Sequence, residues 1–393
     1  MALPLRYNFR NVVVRWRTTL FTVLGVAAVV AVFVLLRALA RGIESTSGNT
    51  GDPRNILVVR KGSQAESGSL VSRNQFRTLQ YFDEIARNEQ GEAVVSAELV
   101  MIVSAPRRGG AGEANTLLRG ITPRGLELRP QVTLVEGRWF QAGHREVVVS
   151  RRLSGRFEGF EIGGTLKAGP DHLKVVGVFD GQGSAFDSEA WMDADEARSI
   201  FDREQYSSVL LRPRDPAAAQ AIITRLEQDK RLGLRGEAET LYYSKQTMTA
   251  APFRILGGIL GVAMSVGAVF AAMNTMYASV AARTREVGTL RVLGFSRRSV
   301  VVSFMMEGTL VALMGGVLGC GLALALNVYV QVRGVYFGTM DFQSFAETLF
   351  QFRVTPDLVG LGLLFSMGIG LIGSLLPALR ASRLPVIAAL KSV

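Results

Sequence analysis

ARTREVGTLRVLGFSRRSV, residues 282–300, carries five arginines and one glutamate between two long runs that hold no charge at all. The runs are 255–282 and 308–332, and two more of the same kind occupy 18–36 and 358–379. An uncharged apolar run of about 18 residues or more is long enough to cross a bilayer. The chain of 393 residues, 48% hydrophobic with a positive mean hydropathy, is therefore read as four spans rather than as a soluble enzyme. The segment 42–252, between the first two spans, is polar and mixed in charge, as a globular domain is.

The net charge of +11 would suit nucleic acid if it lay on a folded surface. It does not. Arg6, Arg10, Arg15 and Arg17 precede the first span, the opening stretch adds its five arginines against Glu286, and the tail adds Arg380, Arg383 and Lys391. Those three segments hold 12 of the 44 basic residues and one of the 33 acidic ones, so 32 of each remain and cancel. All the excess sits beside span ends on one side, which the positive-inside rule assigns to the cytoplasm. Both termini and the 282–300 loop are expected inside; 42–252 and the 333–356 loop are expected outside. Ala38-Leu39-Ala40 resembles a signal-peptidase site, but the apolar run before it exceeds the roughly 7–15 residues of a signal core, and a retained anchor is expected. The lone cysteine, Cys320, lies within the third span and can form no internal disulfide.

The resulting layout is a cytoplasmic amphipathic helix over 1–17, spans at 18–41, 253–282, 301–332 and 357–379, and an outer domain at 42–252. The charged loop covers 283–300, a second outer loop covers 333–356, and the tail covers 380–393. The fold class is α-helical membrane protein with four transmembrane helices plus a large extracytoplasmic α+β domain. In that domain, strand 55–60, helix 74–88 and strand 93–103 read as one β-α-β unit. Strand 208–212, helix 216–230 and segment 234–243 read as another, and the two share a split sheet. Short strands at 116–120, 145–150, 164–168 and 172–179 suggest a small β subdomain inserted between them.

No catalytic chemistry is legible. No Gly-Lys-Ser/Thr phosphate loop occurs, and Gly181-Gln-Gly183-Ser lacks the third glycine of a dinucleotide site. His144 and His172, the two histidines, are not at metal-ligand spacing and read as surface or turn residues. Asp180, Asp187, Asp193 and Asp195 lack EF-hand spacing and read as solvated loop acids. No active site, bound cofactor or metal is expected. If the chain does work on the membrane, the energy comes from a partner on the cytoplasmic side.

As a helix, the loop aligns Val287, Leu290 and Leu293 on one face and Arg283, Glu286 and Thr289 on a neighbouring stripe. Such a helix, too polar for lipid and too apolar for water, suits a protein groove. Gly288 would cost about 1 kcal/mol in a helix, which close approach to a partner would explain. On charge alone, arginines that merely contact lipid headgroups account for the loop at least as well.

The stretch Arg283-Thr-Arg-Glu-Val-Gly-Thr-Leu-Arg-Val-Leu-Gly294 resembles the cytoplasmic signature of MacB/FtsX-type ABC transporter permeases. Asn11–Gly25 resembles that family's entry into its first span. Pro377–Pro385 and Ala388-Ala-Leu-Lys391 resemble its exit from the fourth. The resemblance implies an FtsX-like permease domain over 253–386, a MacB-like periplasmic core domain before it, and a place in the bacterial inner membrane. It implies a separate cytoplasmic ATPase that binds ATP-Mg, a second permease copy or paralogue in a dimer, and mechanotransmission to the outer domains. An exporter would add a periplasmic adaptor and an outer-membrane channel. Control of cell-wall hydrolases and lipoprotein release are the alternatives. On this resemblance Arg283, Arg285, Glu286, Val287, Gly288, Leu290, Arg291, Leu293, Gly294 and Phe295 form the coupling element, with Val287, Leu290 and Leu293 in the ATPase cleft. Glu307, just inside the third span, either pairs with a loop arginine and transmits motion or snorkels to the headgroups. Gly257 with Gly261, and Gly315 with Gly319, form GxxxG patterns that serve either internal packing or a contact between permease copies.

Overall fold

The computed structural model describes residues 16–110, 112–246, 251–333, 337–340, 347–350 and 353–383. All but Trp16 and Arg17 of the amphipathic helix expected over 1–17, and most of the tail, lie outside them. Contacts divide the chain into a span unit, Met1–Arg41 with Pro252–Val335 and Phe352–Val393, and an outer unit, Gly42–Ala251 with Tyr336–Gln351.

Among the described residues, four helical stretches are long and apolar enough to cross a membrane: Thr19–Thr46, Gly258–Ala282, Arg297–Val332 and Pro356–Ser382. Where apolar solvent removes the hydrophobic drive, helices associate through close van der Waals contact between small residues. The third and fourth spans do so on both sides. A Cβ on Gly308 would stand 2.6 Å from Ser374 Cβ, and one on Gly370 would stand 2.7 Å from Ala312 Cβ. The first span joins through stacked Phe33 and Phe365 rings, 4.2 Å apart. Phe21, Val262, Phe270, Leu322 and Leu364 stay exposed on the surface that lipid would cover.

The outer unit is built on strands β1 Ile56–Arg60, β2 Val95–Pro106, β3 Glu113–Ile121, β4 Thr133–Gly137, β5 Glu146–Ser150, β6 Thr165–Ala168, β7 Asp171–Asp180, β8 Glu189–Asp193, β9 Ser208–Leu211 and β10 Leu234–Ala238. They form one sheet in the order β10-β1-β9-β2-β3-β8-β5-β7-β4, with β6 paired to β7. The two β-α-β units interleave: β9 lies between β1 and β2 and is antiparallel to both, while β1 lies between β9 and β10. Four of the five β1 residues are buried, as a continuous apolar run on an interior strand covered on both faces requires. Helix Pro216–Gln228 starts where Asp215 accepts from Ala218 N at 2.7 Å with proline in the first turn, and it buries Ala218, Ile222 and Leu226 along one stripe.

Three readings change. The inserted β portion continues the same sheet, because β8 pairs in parallel with β3. The helix read over 74–88 covers only Arg73–Gln80; beyond it Phe82 and Ile85 turn into the core, and Asn88 accepts from Gln90 N and Glu92 N to close a turn. The 333–356 loop contains a two-stranded pair, β11 Phe337–Met340 with β12 Glu347–Phe350, assigned with the outer unit.

Candidate functional site

The charged loop folds into a short helix, Thr284–Val292, between the second and third spans. Phe295 N donates to Leu290 O at 3.1 Å and Gly294 N to Arg291 O at 3.3 Å, with Gly294 at φ +90°. This is a Schellman stop, which needs a residue that tolerates the left-handed region. Ser296 then caps the next helix by accepting from Ser299 N at 3.2 Å. Gly294 thus ends one helix so that another can begin three residues later, at Arg297.

The expected apolar face divides. Val287 and Gly288 are buried, and Val287 packs with Met276, Val280, Val300, Phe304, Ala378 and Ala381 of the chain's own spans. It is therefore not available to a partner's cleft. Leu290, Arg291 and Phe295 are half-buried, while Arg285, Glu286 and Gly294 are exposed. Val292 and Leu293 are 62% and 68% exposed, side by side at the helix end. Val292 falls outside the expected face because it lies off the helical stripe of Leu290, yet it is exposed where the helix ends. Arg283 is likewise turned inward: its Nη1 donates to Glu307 Oε2 at 2.7 Å, and both side chains are buried. A charge in the bilayer centre costs on the order of 3 kcal/mol, and a partner of opposite sign offsets part of that.

Gly315 and Gly319 are occupied by the first span. A Cβ at Gly315 would lie 2.7 Å from Val26 Cβ, and one at Gly319 would lie 2.5 Å from Ala27 O. Gly261 meets only Phe33, at 3.9 Å, and the surroundings of Gly257 fall outside the described side chains. A cleft of about 1060 Å³ within the span unit is lined mainly by small and apolar residues such as Ala271, with Thr22, Thr275, Ser279 and Glu307 among its polar members. Thr22 bonds Thr275 at 3.1 Å across it, and Ser279 Oγ is buried with no hydrogen-bond partner among the described residues.

The outer unit holds a cluster that the sequence reading missed. Arg119 on β3 donates to Glu98 at 2.8 Å, to Glu66 at 2.9 Å and to both oxygens of Glu189 at 2.8 Å. Arg129 donates to Glu98 at 2.5 Å and to Glu239 at 3.2 Å. All six side chains are buried. Arg129 lies over the Phe186 ring, 4.8 Å from its centroid. Burial alone would raise the Glu66 carboxyl, but Arg119 and Ser208 hold it below its ordinary range. For Glu239 burial wins over Arg129, and its carboxyl is pushed up. Burial also lifts the Tyr243 phenol far above its usual value. The one signal in sequence was a charge within an apolar strand, Glu98 in VSAELVMIV and Arg119 in NTLLRGI.

The glycine turn after β7 is explained by an internal ligand. Gly181 N and Gly183 N donate to the Asp187 carboxylate at 2.7 and 2.8 Å, and Arg152 pairs with it at 3.0 Å. The nest of amides that would cradle a phosphate is filled by the chain's own acid. Asp187 and Asp193 are buried, not solvated, and Asp193 caps helix Ala194–Ile200 by accepting from Asp195 N and Glu196 N. His144 and His172 are exposed. Among the described residues no group of three or more His, Cys, Asp or Glu side chains is placed to hold a metal ion.

The MacB-like periplasmic core domain family matches residues 18–229, more than half of the chain, and the FtsX-like permease C-terminal family matches 258–386. The chain belongs to the MacB/FtsX-like permease family. It is 25% identical to a macrolide export ATP-binding/permease protein MacB of Bdellovibrio bacteriovorus, over 94% of this chain and 58% of that protein. It thus spans less than two thirds of that relative's length. An uncharacterized ABC transporter permease YknZ of Bacillus subtilis is 33% identical over 37% of this chain and 32% of its own. Among solved structures, the periplasmic region of MacB from Actinobacillus actinomycetemcomitans aligns at 14% identity and a TM-score of 0.38, covering 50% of this chain and 94% of that one. As a family member with four apolar helices, the chain is a membrane permease with an extracytoplasmic domain.

Proposed function

We propose that this chain is the permease subunit of an ABC transporter in the bacterial inner membrane. It couples ATP hydrolysis by a separate cytoplasmic ATPase to movement of the periplasmic unit, in export, and itself carries no catalytic site. Both termini and helix Thr284–Val292 face the cytoplasm, and ATP-Mg is bound by the ATPase. The observation that carries the reading is the division of that helix. Val287 and Arg283 anchor it to the spans, while Val292 and Leu293 stand out at its end where a partner can grip them. A load on the outward residues then reaches the third span through the Arg283–Glu307 pair. Arg285, Glu286, Leu290 and Arg291 set the angle of docking, Gly294 and Phe295 form the stop, and a second permease copy or paralogue completes a dimer. Gly315 and Gly319 serve packing within the chain, and Gly261, unoccupied on most sides, suits a contact between copies. A periplasmic adaptor and an outer-membrane channel complete the export route.

The test replaces Glu286 and Leu290 together, and separately Val292 and Leu293, and measures co-purification of the ATPase and its stimulated hydrolysis. Loss of both is expected for each pair. Full binding and full stimulation in both would overturn the assignment.

A further inference from the structure

The outer unit is entered through residues that follow the first-span helix, Trp16–Gly48, and is left through helix Glu239–Gln246, just before the second-span helix. One side chain ties the two ends. Glu239 Oε2 accepts from Asp52 N at 2.9 Å and from Asn55 Nδ2 at 2.8 Å, while its own amide donates to Asn55 O at 3.0 Å. Gly51, at φ +86°, lets the entering backbone press against it: a Cβ there would lie 2.6 Å from Glu239 Cγ. Arg212 binds the same knot from β9's end, donating to Asn55 Oδ1 at 3.0 Å, Asp52 Oδ2 at 3.1 Å and Leu128 O at 3.0 Å. The other Glu239 oxygen accepts from Arg129, which reaches Glu98 on β2 in the middle of the sheet.

A helix's first residue needs none of this, since an exposed Asp or Glu there suffices for the helix dipole. A fully buried carboxylate that takes donors from the entering strand, the sheet and its own exit is costly unless every partner is held in place. We infer that Glu239 is a positioning residue, which clamps both membrane-side ends of the outer unit to its sheet so that displacement of either end moves the sheet as one body. The inference rests on the coupling reading above. Asp52, Asn55 and Arg212 are the remaining parts of the clamp, and Glu98 is the link to the sheet.

The experiment uses the full permease with its ATPase in lipid nanodiscs and follows amide exchange in β1 and β10 with and without ATP. In the wild-type complex ATP is expected to change exchange in both strands. In Glu239→Gln that change is lost while ATP hydrolysis continues at the wild-type rate. Glu189→Gln, equally buried but bonded to Arg119 and Trp191 and to no part of the clamp, is expected to lower the melting temperature and keep the ATP response. Should Glu239→Gln not fold, Arg212→Gln, which loosens the knot from a half-exposed position, is read in its place with the same expectation. An ATP response of wild-type size in the clamp variant overturns the inference, as does equal loss in Glu189→Gln. No ATP response in the wild-type complex overturns the coupling reading itself.

Discussion

The outer unit buries four carboxylates around two guanidinium groups, whereas the charged helix of the span unit rests on one buried pair, Arg283 with Glu307. The larger cluster joins residues of β2, β3 and β8 with Glu66 and Glu239, so several chain segments must agree before any charge is satisfied. The smaller one joins two neighbouring segments, 24 residues apart. A network of many segments punishes local slippage and favours a unit that moves as a block. A single pair, with Val287 packed on the spans beside it, holds the helix near its start and leaves Val292 and Leu293 exposed at its end, which suits a lever. The difference teaches that buried charge can define a rigid body in one place and a pivot in another.

The comparison breaks first at Arg119. Arg119→Ala would leave Glu66, Glu98 and Glu189 buried without their shared cation, and the expected loss is about 3–5 kcal/mol of stability. Chemical unfolding of the outer unit followed by Trp191 fluorescence measures it; a loss under about 1 kcal/mol would mean that solvent or rearrangement replaces the network. Next comes Gly315→Leu, which drives a side chain into Val26 and should cost about 1–3 kcal/mol, seen as a lower melting temperature in detergent. If the melt is unchanged, the first span is not packed at this face.

A smaller effect is expected of Gly294→Ala. The left-handed backbone there costs an L-residue roughly 1–2 kcal/mol, so the stop should fray and ATPase stimulation should fall while the outer unit's melt stays put. Equal stimulation would show that the lever does not depend on its own termination. The smallest is a pH effect. Because burial raises the Glu239 carboxyl, the folded state holds that proton more tightly than the unfolded chain does. Its contribution is complete below the ordinary carboxylate range and is lost as pH rises through the raised value. Glu239→Gln cannot titrate, so the melting-temperature difference between wild type and variant should move against the wild type as pH increases. A flat difference would mean that the carboxylate is already ionised throughout.

The spans and the charged loop were legible because they depend on composition: an apolar run with no charge has few alternatives, and Gly294 before Phe295 marks a helix end on its own. Strands such as β1 and β9 were legible for the same reason. The ionic cluster was not, since Arg119 meets Glu189 only once β3 and β8 lie in register, and parallel pairing between distant segments leaves no local trace. Strand β8 itself, EAWMD, reads as an acidic loop because its charges face partners instead of water. The division of the loop helix was also hidden, because helical spacing puts Val287 and Leu293 on one stripe and cannot say that the chain's own spans would claim the first of them.

The Asp187 carboxylate seated in the glycine turn has a practical corollary for anyone who crystallises this protein. Truncating that side chain would leave two amide hydrogens and the Arg152 guanidinium around an empty seat of the right polarity for sulfate or phosphate. An anion trapped there in such a variant would be a stand-in for the missing acid, and it would say nothing about cargo.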